Sequence, residues 1–210
     1  MEINLDLDLD AVHSQPALHD TDGWIDFGPA GGSYYYSWTR MSAEGAISVG
    51  GDDALVPVSG EAWFDHQWGD FIAVGGGGWD WFAVNLADGT DMTFSLVRNV
   101  DGTYPLVYGT LIGPDGSFEH LPREAFTVTP TGLWTSPHTG ATYPSGWNVS
   151  VPGEQLEIQL EPTVLDQELD TRPTTGVVYW EGSQTVTATR AGEAVEGEAY
   201  VELTGYLATN

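Results

Sequence analysis

The densest group of chemically active side chains lies in residues 61–70, which read EAWFDHQWGD. On a strand, successive side chains point to opposite faces, so His66 and Trp68 share one face, whereas Trp63 and Asp65 share the other. Desolvation among aromatic rings disfavours the charged form of a histidine, which can then act as a general base near neutral pH. His66 and Asp65 are therefore candidate catalytic residues. The alternative is a core histidine whose ring is hydrogen-bonded to a backbone carbonyl.

Two glutamates have aromatic neighbours in the sequence. Glu181 follows the segment VVYW, and Glu202 lies within AYVELTGY. A carboxyl group desolvated by tryptophan and tyrosine has a raised pKa and can donate a proton at neutral pH. A single carboxylate in so acidic a chain is a solvated surface group by default, and the aromatic neighbours distinguish these two. Glu181 and Glu202 are therefore candidate catalytic acids.

Several predicted strands carry aromatic rings and polar groups on one face. Trp79 and Trp81 share a face in residues 79–86, and Tyr200 shares a face with Glu198 in residues 198–206. Such faces suit a barrel cavity that holds a mostly apolar ligand. The alternative is that they face solvent, which we favour for Glu198. The predicted ligand-binding residues are Tyr35, Trp63, Trp68, Trp79, Trp81, Tyr179, Tyr200 and Tyr206.

The sequence predicts no metal site. The other four histidines lie in loop-like contexts without ligand spacing, namely His13, His19, His120 and His138. Cysteine is absent, which excludes disulfides and thiolate sites. The glycine run Gly75 to Gly78 has no following Lys or Ser/Thr, so it predicts a flexible hairpin loop and not a phosphate-binding loop.

The periodicity predicts a single all-β domain over residues 1–210, an antiparallel β-barrel or sandwich. Apolar and polar residues alternate in nearly every segment, and the 27 glycines suit tight turns and bulges. Asp-Gly and Pro-Gly turns separate the segments. The predicted strands are 3–9, 34–38, 62–68, 79–86, 92–98, 104–112, 126–128, 147–151, 156–160, 177–180, 184–190 and 198–206.

The charge balance excludes two classes of partner. The chain has 210 residues with 5 basic and 31 acidic side chains, a formal net charge of −26, and all five cations are arginines. Nucleic acids and anionic membranes both require a basic face. Arg98 closes a predicted strand and is expected to pair with a buried carboxylate. The first six residues have no basic region and no apolar run, so we expect neither a signal peptide nor membrane insertion, and a cytoplasmic location.

The absence of lysine predicts a protein adapted to concentrated salt. A net charge of −26 repels itself in dilute buffer, whereas at molar salt the Debye length falls to about 3 Å. We therefore expect the melting temperature to rise steadily from low to multimolar KCl, as measured by differential scanning fluorimetry. A melting temperature independent of KCl would identify a merely acidic protein from an ordinary cell.

Seven segments together resemble one known family. In chain order they are SYYYS at 33–37, GEAWFDHQWG at 60–69, GWDWF at 78–82, WTSP at 134–137, YPSGW at 143–147, YWEG at 179–182 and YVELTGY at 200–206. They run across almost the whole chain in the order found in the lipocalin-like family. This family includes the AttH-type proteins and the carotenoid 1,2-hydratases (hydroxyneurosporene synthases).

The resemblance implies lipocalin-like β-barrel modules around a largely apolar cavity, with no cofactor. Activities in this family and its relatives include water addition to terminal isoprenoid double bonds, hydration of a prenylated flavonoid and pericyclic cyclisation of polyenes. In hydration, a protein acid protonates the alkene and water captures the resulting carbocation, which aromatic faces stabilise. His66 and Trp68 match the Asp-His-x-Trp motif of the hydratases.

Two departures from the family pattern bear on function. The hydratases carry a Tyr-x-Asp pair on the strand that here reads Thr93-Phe94-Ser95, so the expected acid is missing. Family members also have an earlier module with a Glu-Trp-Trp-Tyr segment. Residues 1–30 resemble only the terminal strands of that module. A homodimer or a partner module would then complete the site.

Two functions from different classes follow. The first is a cofactor-free enzyme that hydrates, isomerises or cyclises a hydrophobic isoprenoid or polyene-like substrate, with Glu181 or Glu202 replacing the missing acid and His66 orienting water. The second is a lipocalin-like carrier that binds an apolar ligand without chemistry. The missing aspartate favours the carrier, whereas the intact DHQW motif favours the enzyme.

Overall fold

The computed structural model describes residues 3–28, 31–50, 54–70 and 76–207. Within these ranges the chain forms antiparallel strands and two 3-10 turns, Arg123–Ala125 and Pro152–Glu154, with no α-helix. The predicted all-β class is confirmed. Gly76 to Gly78 of the glycine run begin a strand instead of forming the predicted loop, and Gly75 lies outside the described residues. No helix in the described part of the chain is long and apolar enough to cross a membrane.

The first sheet is organised around one long strand. It contains β1 (Ile3–Ala11), β2 (Ala17–Leu18), β3 (Trp24–Asp26), β4 (Gly32–Val49) and β5 (Val56–Gly69). Strands β1, β2 and β3 pair with successive parts of one edge of β4, and β5 pairs along the other edge. The register places Tyr36 opposite His66 and Ser37 opposite Asp65. A bulge between Trp38 and Met41 bends the sheet.

The remaining strands are β6 (Gly76–Leu86), β7 (Asp91–Asn99), β8 (Leu106–Ile112), β9 (Phe118–Pro122), β10 (Thr127–Pro130), β11 (Leu133–Thr135), β12 (Thr142–Pro144), β13 (Trp147–Val151), β14 (Leu156–Pro162), β15 (Glu168–Asp170), β16 (Val178–Arg190), β17 (Glu193–Val195) and β18 (Gly197–Thr204). Eleven of them form the second sheet, in the order β10-β13-β14-β16-β18-β6-β7-β8-β9, with β15 and β17 also paired to β16. The other two, β11 and β12, form a separate hairpin.

The main core lies on the inner side of the second sheet. Alternation along β6 and β18 turns Phe82, Val201 and Leu203 inward, where they join Trp147 and Trp180, all of them fully buried. Trp79, Trp81 and Glu202 point to the opposite side. The face assignments predicted for residues 79–86 and 198–206 are confirmed for these positions.

The structure departs from the predicted strands in two respects. The segments 177–180 and 184–190 belong to one strand, β16, because Gly182 and Ser183 continue the pairing with β18. The alternation also did not predict the short strands β2, β3, β9, β11, β12, β15 and β17. With two to five residues each, they are too short for an alternating pattern to be recognised.

Buried polar contacts hold β4 against the second sheet. Thr39 Oγ1 donates to Asp91 Oδ2 over 2.8 Å, and the Arg40 guanidinium contacts Asp91 Oδ1 over 2.7 Å. Asn85 Nδ2 donates to the Thr39 carbonyl over 2.9 Å. Because Asp91 is fully buried, the bonds from Thr39 and Arg40 satisfy a carboxylate that would otherwise be costly to bury. They fix the distance between the two sheets and hence the space between them.

Candidate active site

Two adjoining cavities lie between the first sheet and the outer face of the second. Their volumes are about 210 Å³ and about 670 Å³, and both are lined by Asp65, Trp81 and Glu202. The smaller cavity is also lined by Phe27, Tyr35, Gln67, Trp79, Ser95, Val97 and Tyr108. Further residues of the larger cavity include Glu61, Trp63, Gln184, Glu198 and Tyr200.

One row of side chains crosses the second sheet beneath the cavities. Glu181 lies directly opposite Glu202, Glu202 opposite Trp81, Trp81 opposite Ser95, and Ser95 opposite Tyr108. Directly opposite residues of antiparallel strands share a face, so the whole row points toward the first sheet. Neighbouring strands lie about 4.8 Å apart, which places Glu202 and Ser95 about 10 Å apart along this row.

Glu202 has the properties of a proton donor. Trp79 Nε1 donates a hydrogen bond to Glu202 Oε1 over 2.8 Å. Burial raises the pKa of Glu202 to about 7, and the nearby carboxylates Glu181 and Asp65 contribute to the rise, whereas the bond from Trp79 opposes it. A carboxyl group with this pKa is about half protonated at neutral pH and can both give and regain a proton.

Asp65 faces Glu202 from the first sheet. Its side chain opens onto both cavities, while surrounding protein atoms desolvate the carboxylate and raise its pKa. A hydrogen bond donated by Ser37 Oγ opposes that rise because it stabilises the ionised form. Burial raises the pKa of the Tyr35 and Tyr108 phenols, so both remain hydrogen-bond donors in the smaller cavity.

Glu181 lies beside this pair without lining either cavity. Burial raises the pKa of Glu181. Burial also raises the pKa values of Tyr179 and Tyr200, and the nearby carboxylates Glu181 and Glu202 add to that rise. Tyr200 lines the larger cavity, whereas Tyr179 lines neither. The structure therefore brings together most of the predicted residues, namely Tyr35, Trp63, Asp65, Trp79, Trp81, Tyr200 and Glu202, with Glu181 and Tyr179 adjacent.

Tyr206 is placed elsewhere. Gly205 has a φ of +75°, which ends the alternation of β18, and Tyr206 packs against the main core. Its hydroxyl donates to Asp80 over 2.9 Å, and Arg98 lies 3.9 Å above its ring. The ligand-binding role predicted for Tyr206 assumed that the strand continued to that residue. Because β18 ends at Thr204, Tyr206 lines neither of the two cavities.

His66 and Trp68 lie on the outer face of the first sheet. Their ring centroids are 4.7 Å apart, and the Tyr36 ring stacks on His66 at 5.5 Å. Since Asp65 points into the cavities, its neighbour His66 must point away from them. The predicted alternation of faces is confirmed, and its consequence is that His66 and Trp68 are not brought together with Glu202. The catalytic role of His66 stays a prediction.

The outer face that carries His66 is apolar and exposed. Trp24, Tyr34 and Trp68 form a continuous aromatic contact while remaining 41%, 50% and 45% exposed. Along β1 the exposed apolar residues Ile3, Leu5, Leu7 and Leu9 alternate with asparagine and aspartates. Contiguous exposed apolar side chains of this kind are typical of interfaces. The homodimer or partner module expected from the sequence stays a prediction.

Three polar residues of the site were missed by the sequence reasoning. His19, which had been grouped with the loop histidines, is fully buried, and Ser37 Oγ lies 2.7 Å from its Nε2. Tyr108 was recognised only as part of a strand. Each of the three has a hydrogen-bond partner in a different element of the fold, and nothing in the local sequence reveals that pairing. Within the described ranges, no group of three or more His, Asp or Glu side chains could hold a metal ion.

A family model described as AttH-like matches residues 1–206. The chain belongs to the AttH-like family. A crystal structure of an AttH protein from Nitrosomonas europaea is 33% identical, with a TM-score of 0.83 over 98% of this chain and 63% of that one. The predicted family and the lipocalin-like fold are thereby confirmed. A comparison with curated proteins gives no match.

Two further solved structures share the fold of this AttH-like chain. Kievitone hydratase from Nectria haematococca is 22% identical with a TM-score of 0.78, covering 96% of this chain and 61% of that one. CghA in complex with Sch210972 is 13% identical with a TM-score of 0.51, covering 85% of this chain and 55% of that one. The AttH-like chain thus spans less than two thirds of the length of these relatives.

Proposed function

We propose that this chain forms the acid–base site of a hydratase-like enzyme that acts on an uncharged, alkene-bearing apolar molecule. The observation that carries the proposal is Glu202, a carboxyl group with a pKa of about 7 that lines both cavities opposite Asp65. The similarity to kievitone hydratase supports the reaction class.

The proposed reaction uses the two carboxyl groups in different states. Protonated Glu202 transfers its proton to one alkene carbon, which leaves a tertiary carbocation next to the faces of Trp79 and Trp81. Water bonds to the cationic carbon, the other carbon of the former double bond, and one proton of that water passes to Asp65. A proton then returns from Asp65 to Glu202 through solvent, and no external oxidant, reductant or cofactor is consumed. A protonated carboxyl group and an ionised one can divide the acid and base roles in this way.

The residues that line the cavities also support an uncharged ligand. Both cavities combine aromatic rings with acceptor groups, and no Arg is among the described lining residues. A carboxylate or phosphate on the ligand would meet Asp65, Glu198 and Glu202 without a compensating cation. This supports the proposal of an uncharged isoprenoid or polyene substrate, whose hydroxyl groups could donate to these acceptors.

A carrier without chemistry is the second candidate. It is favoured by Ser95, which lines the smaller cavity at the position where the hydratases carry their acid. A carrier would bind the same uncharged apolar ligand and release it unchanged.

Incubation with squalene, lycopene and geraniol-type alkenes, followed by mass spectrometry, separates the two functions. We expect a product heavier by one water, and the amount of this product should increase with enzyme concentration and with time. Recovery of one equivalent of unchanged ligand from the protein, with no product after prolonged incubation, would contradict the hydratase proposal and support the carrier. Heat-unfolded protein is the control for spontaneous hydration.

A further inference from the structure

A chain of hydrogen bonds runs from the interior of the protein to the cavity. It begins at Thr110 on β8, whose Oγ1 lies 2.8 Å from His19 Nδ1. His19 Nε2 lies 2.7 Å from Ser37 Oγ on β4, and Ser37 Oγ in turn donates to Asp65 Oδ1 on β5. Thr110, His19 and Ser37 are completely buried, so water does not compete for these bonds.

The His19 ring is held in place and kept neutral. It packs on the Tyr35 ring with centroids 4.1 Å apart, and Thr93 Oγ1 lies 3.5 Å from Nδ1. Burial lowers the pKa of His19 to about 3, so its ring carries one proton across the physiological range. A neutral imidazole has one donor nitrogen and one acceptor nitrogen, which gives the chain of bonds a direction.

That direction is coupled to the charge of Asp65. If Nε2 carries the proton, His19 donates to Ser37, and the single Ser37 proton is free to bind an ionised Asp65. If Nδ1 carries it, Nε2 must accept from Ser37, and Asp65 can then bond to Ser37 only by donating a proton of its own. The two tautomers of His19 therefore correspond to two protonation states of Asp65.

We propose that His19 is a positioning residue, which in its Nε2–H tautomer acts through Ser37 to keep Asp65 ionised and directed into the cavity. The interior end of the chain, at Thr110 and Thr93, reaches no solvent, so the bonds orient Asp65 and do not conduct protons. This inference rests on the proposed function only for its catalytic consequence, which is that Asp65 serves as the base while Glu202 serves as the acid.

The other groups around Asp65 contribute less than this bond. From its own sheet, the Trp63 indole and the Tyr35 phenol also lie beside the carboxylate, and each lowers its pKa less than Ser37 does. From the second sheet, Glu202 and the Tyr108 phenol are close enough to interact with its charge. Glu202 repels an ionised Asp65 whenever it is itself ionised. The Ser37 hydroxyl donates a direct hydrogen bond to the Asp65 carboxylate.

Nuclear magnetic resonance of the intact chain tests the proposal without any substrate. Protein labelled with 15N-histidine and with 13C at the aspartate carboxyl carbon is titrated from pH 4 to pH 9. Four variants are compared with the wild type. They are His19→Phe, which keeps a ring beside Tyr35, Ser37→Ala, Thr110→Val, and Ser33→Ala as the matched control. Ser33 lies on the same face of β4 and accepts from Gln67 over 2.8 Å, without a bond to Asp65.

We expect the wild-type His19 signals to show the Nε2–H tautomer with no titration near neutral pH. The midpoint of the Asp65 titration should move upward in Ser37→Ala and in His19→Phe, by less in Thr110→Val, and not at all in Ser33→Ala. An Nδ1–H tautomer, or an unchanged Asp65 midpoint in His19→Phe, would overturn the proposal. If His19→Phe does not fold, the wild-type tautomer and the Ser37→Ala titration decide the question.

The outcome is separable from that of the hydration assay. A shifted Asp65 midpoint in a protein that hydrates nothing would support the positioning role and reject the proposed function. If hydration is found, His19→Phe should lower kcat and leave KM unchanged, because the substrate does not touch His19 and only the orientation of the base is lost. A matching loss in Ser33→Ala would instead indicate general damage to the fold and contradict the role of His19.

Discussion

Replacing Glu202 with glutamine is expected to lower the kcat of alkene hydration by about 10²- to 10⁴-fold, the range attributed to general acid catalysis. Glutamine keeps the shape and can still accept the hydrogen bond from Trp79 Nε1, but it has no proton to transfer at any accessible pH. The measurement is the rate of formation of the hydrated product by mass spectrometry. Glu119→Gln, an exposed position on β9, is the matched control and should retain full activity.

The pH profile gives a second, independent sign of the same role. Because the pKa of Glu202 is about 7, the wild-type rate should fall as the pH rises above 7 and the proton is lost. A raised pKa also means that ionised Glu202 weakens the folded state above this pH, so Glu202→Gln should melt no earlier than the wild type at pH 8. If Glu202→Gln keeps its activity and its hydration rate still falls above pH 7, another group protonates the alkene.

Replacing Arg98 with methionine is expected to destabilise the protein by about 3–5 kcal/mol at pH 8, the cost of leaving a buried charge unpaired. Arg98 Nε lies 3.4 Å from Asp80 Oδ1, and the two side chains are only 12% and 7% exposed. This is the pairing with a buried carboxylate that the sequence predicted for Arg98. The measurement is urea unfolding at fixed KCl concentration. Arg172→Met, which breaks an exposed pair with Asp170, is the matched control and should leave the urea midpoint nearly unchanged.

The loss caused by Arg98→Met should depend on pH. Burial raises the pKa of Asp80 to about 6, although Arg98 and Tyr206 oppose the rise. The stability that Asp80 contributes is thus present at low pH and is lost as the pH rises from about 4 to about 6. Without Arg98 the pKa rises further, so Asp80 is neutral at pH 5 and the variant should lose less there than at pH 8. The double variant Asp80→Asn/Arg98→Met should recover stability at pH 8, and equal losses at both pH values would contradict this account.

Local sequence was sufficient for much of the fold. Alternation in residues 79–86 and 198–206 predicted which side chains share a face, because a strand face is set by a period of two and needs no knowledge of its partners. The same alternation placed Asp65 and His66 on opposite faces. It could not show which of those faces would be covered by the second sheet, and the choice of His66 as the central catalytic residue depended on that point.

The remaining differences have similar causes. Tyr206 follows a glycine whose positive φ redirects the chain, and so the alternation that was extended through it does not apply. Val177 to Arg190 was divided at a glycine that the neighbouring strands keep within the sheet. Glu202 was chosen for its aromatic neighbours in the sequence. In the structure its pKa rises because of burial between the sheets and proximity to Asp65 and Glu181.

By itself, the sequence determined the all-β class, the acidic character, the family and the side chains that share a face on β6 and β18, since each of these depends on composition, on local periodicity or on the order of sequence motifs. The tertiary structure decided which polar groups meet. His19, Ser37 and Asp65 are hydrogen-bonded although they lie in the bend after β2, on β4 and on β5, and Asp65 faces Glu202 across the space between the two sheets. Register and sheet packing create such contacts between residues far apart in the chain. The charge states that the proposed chemistry requires therefore arise only in the folded protein.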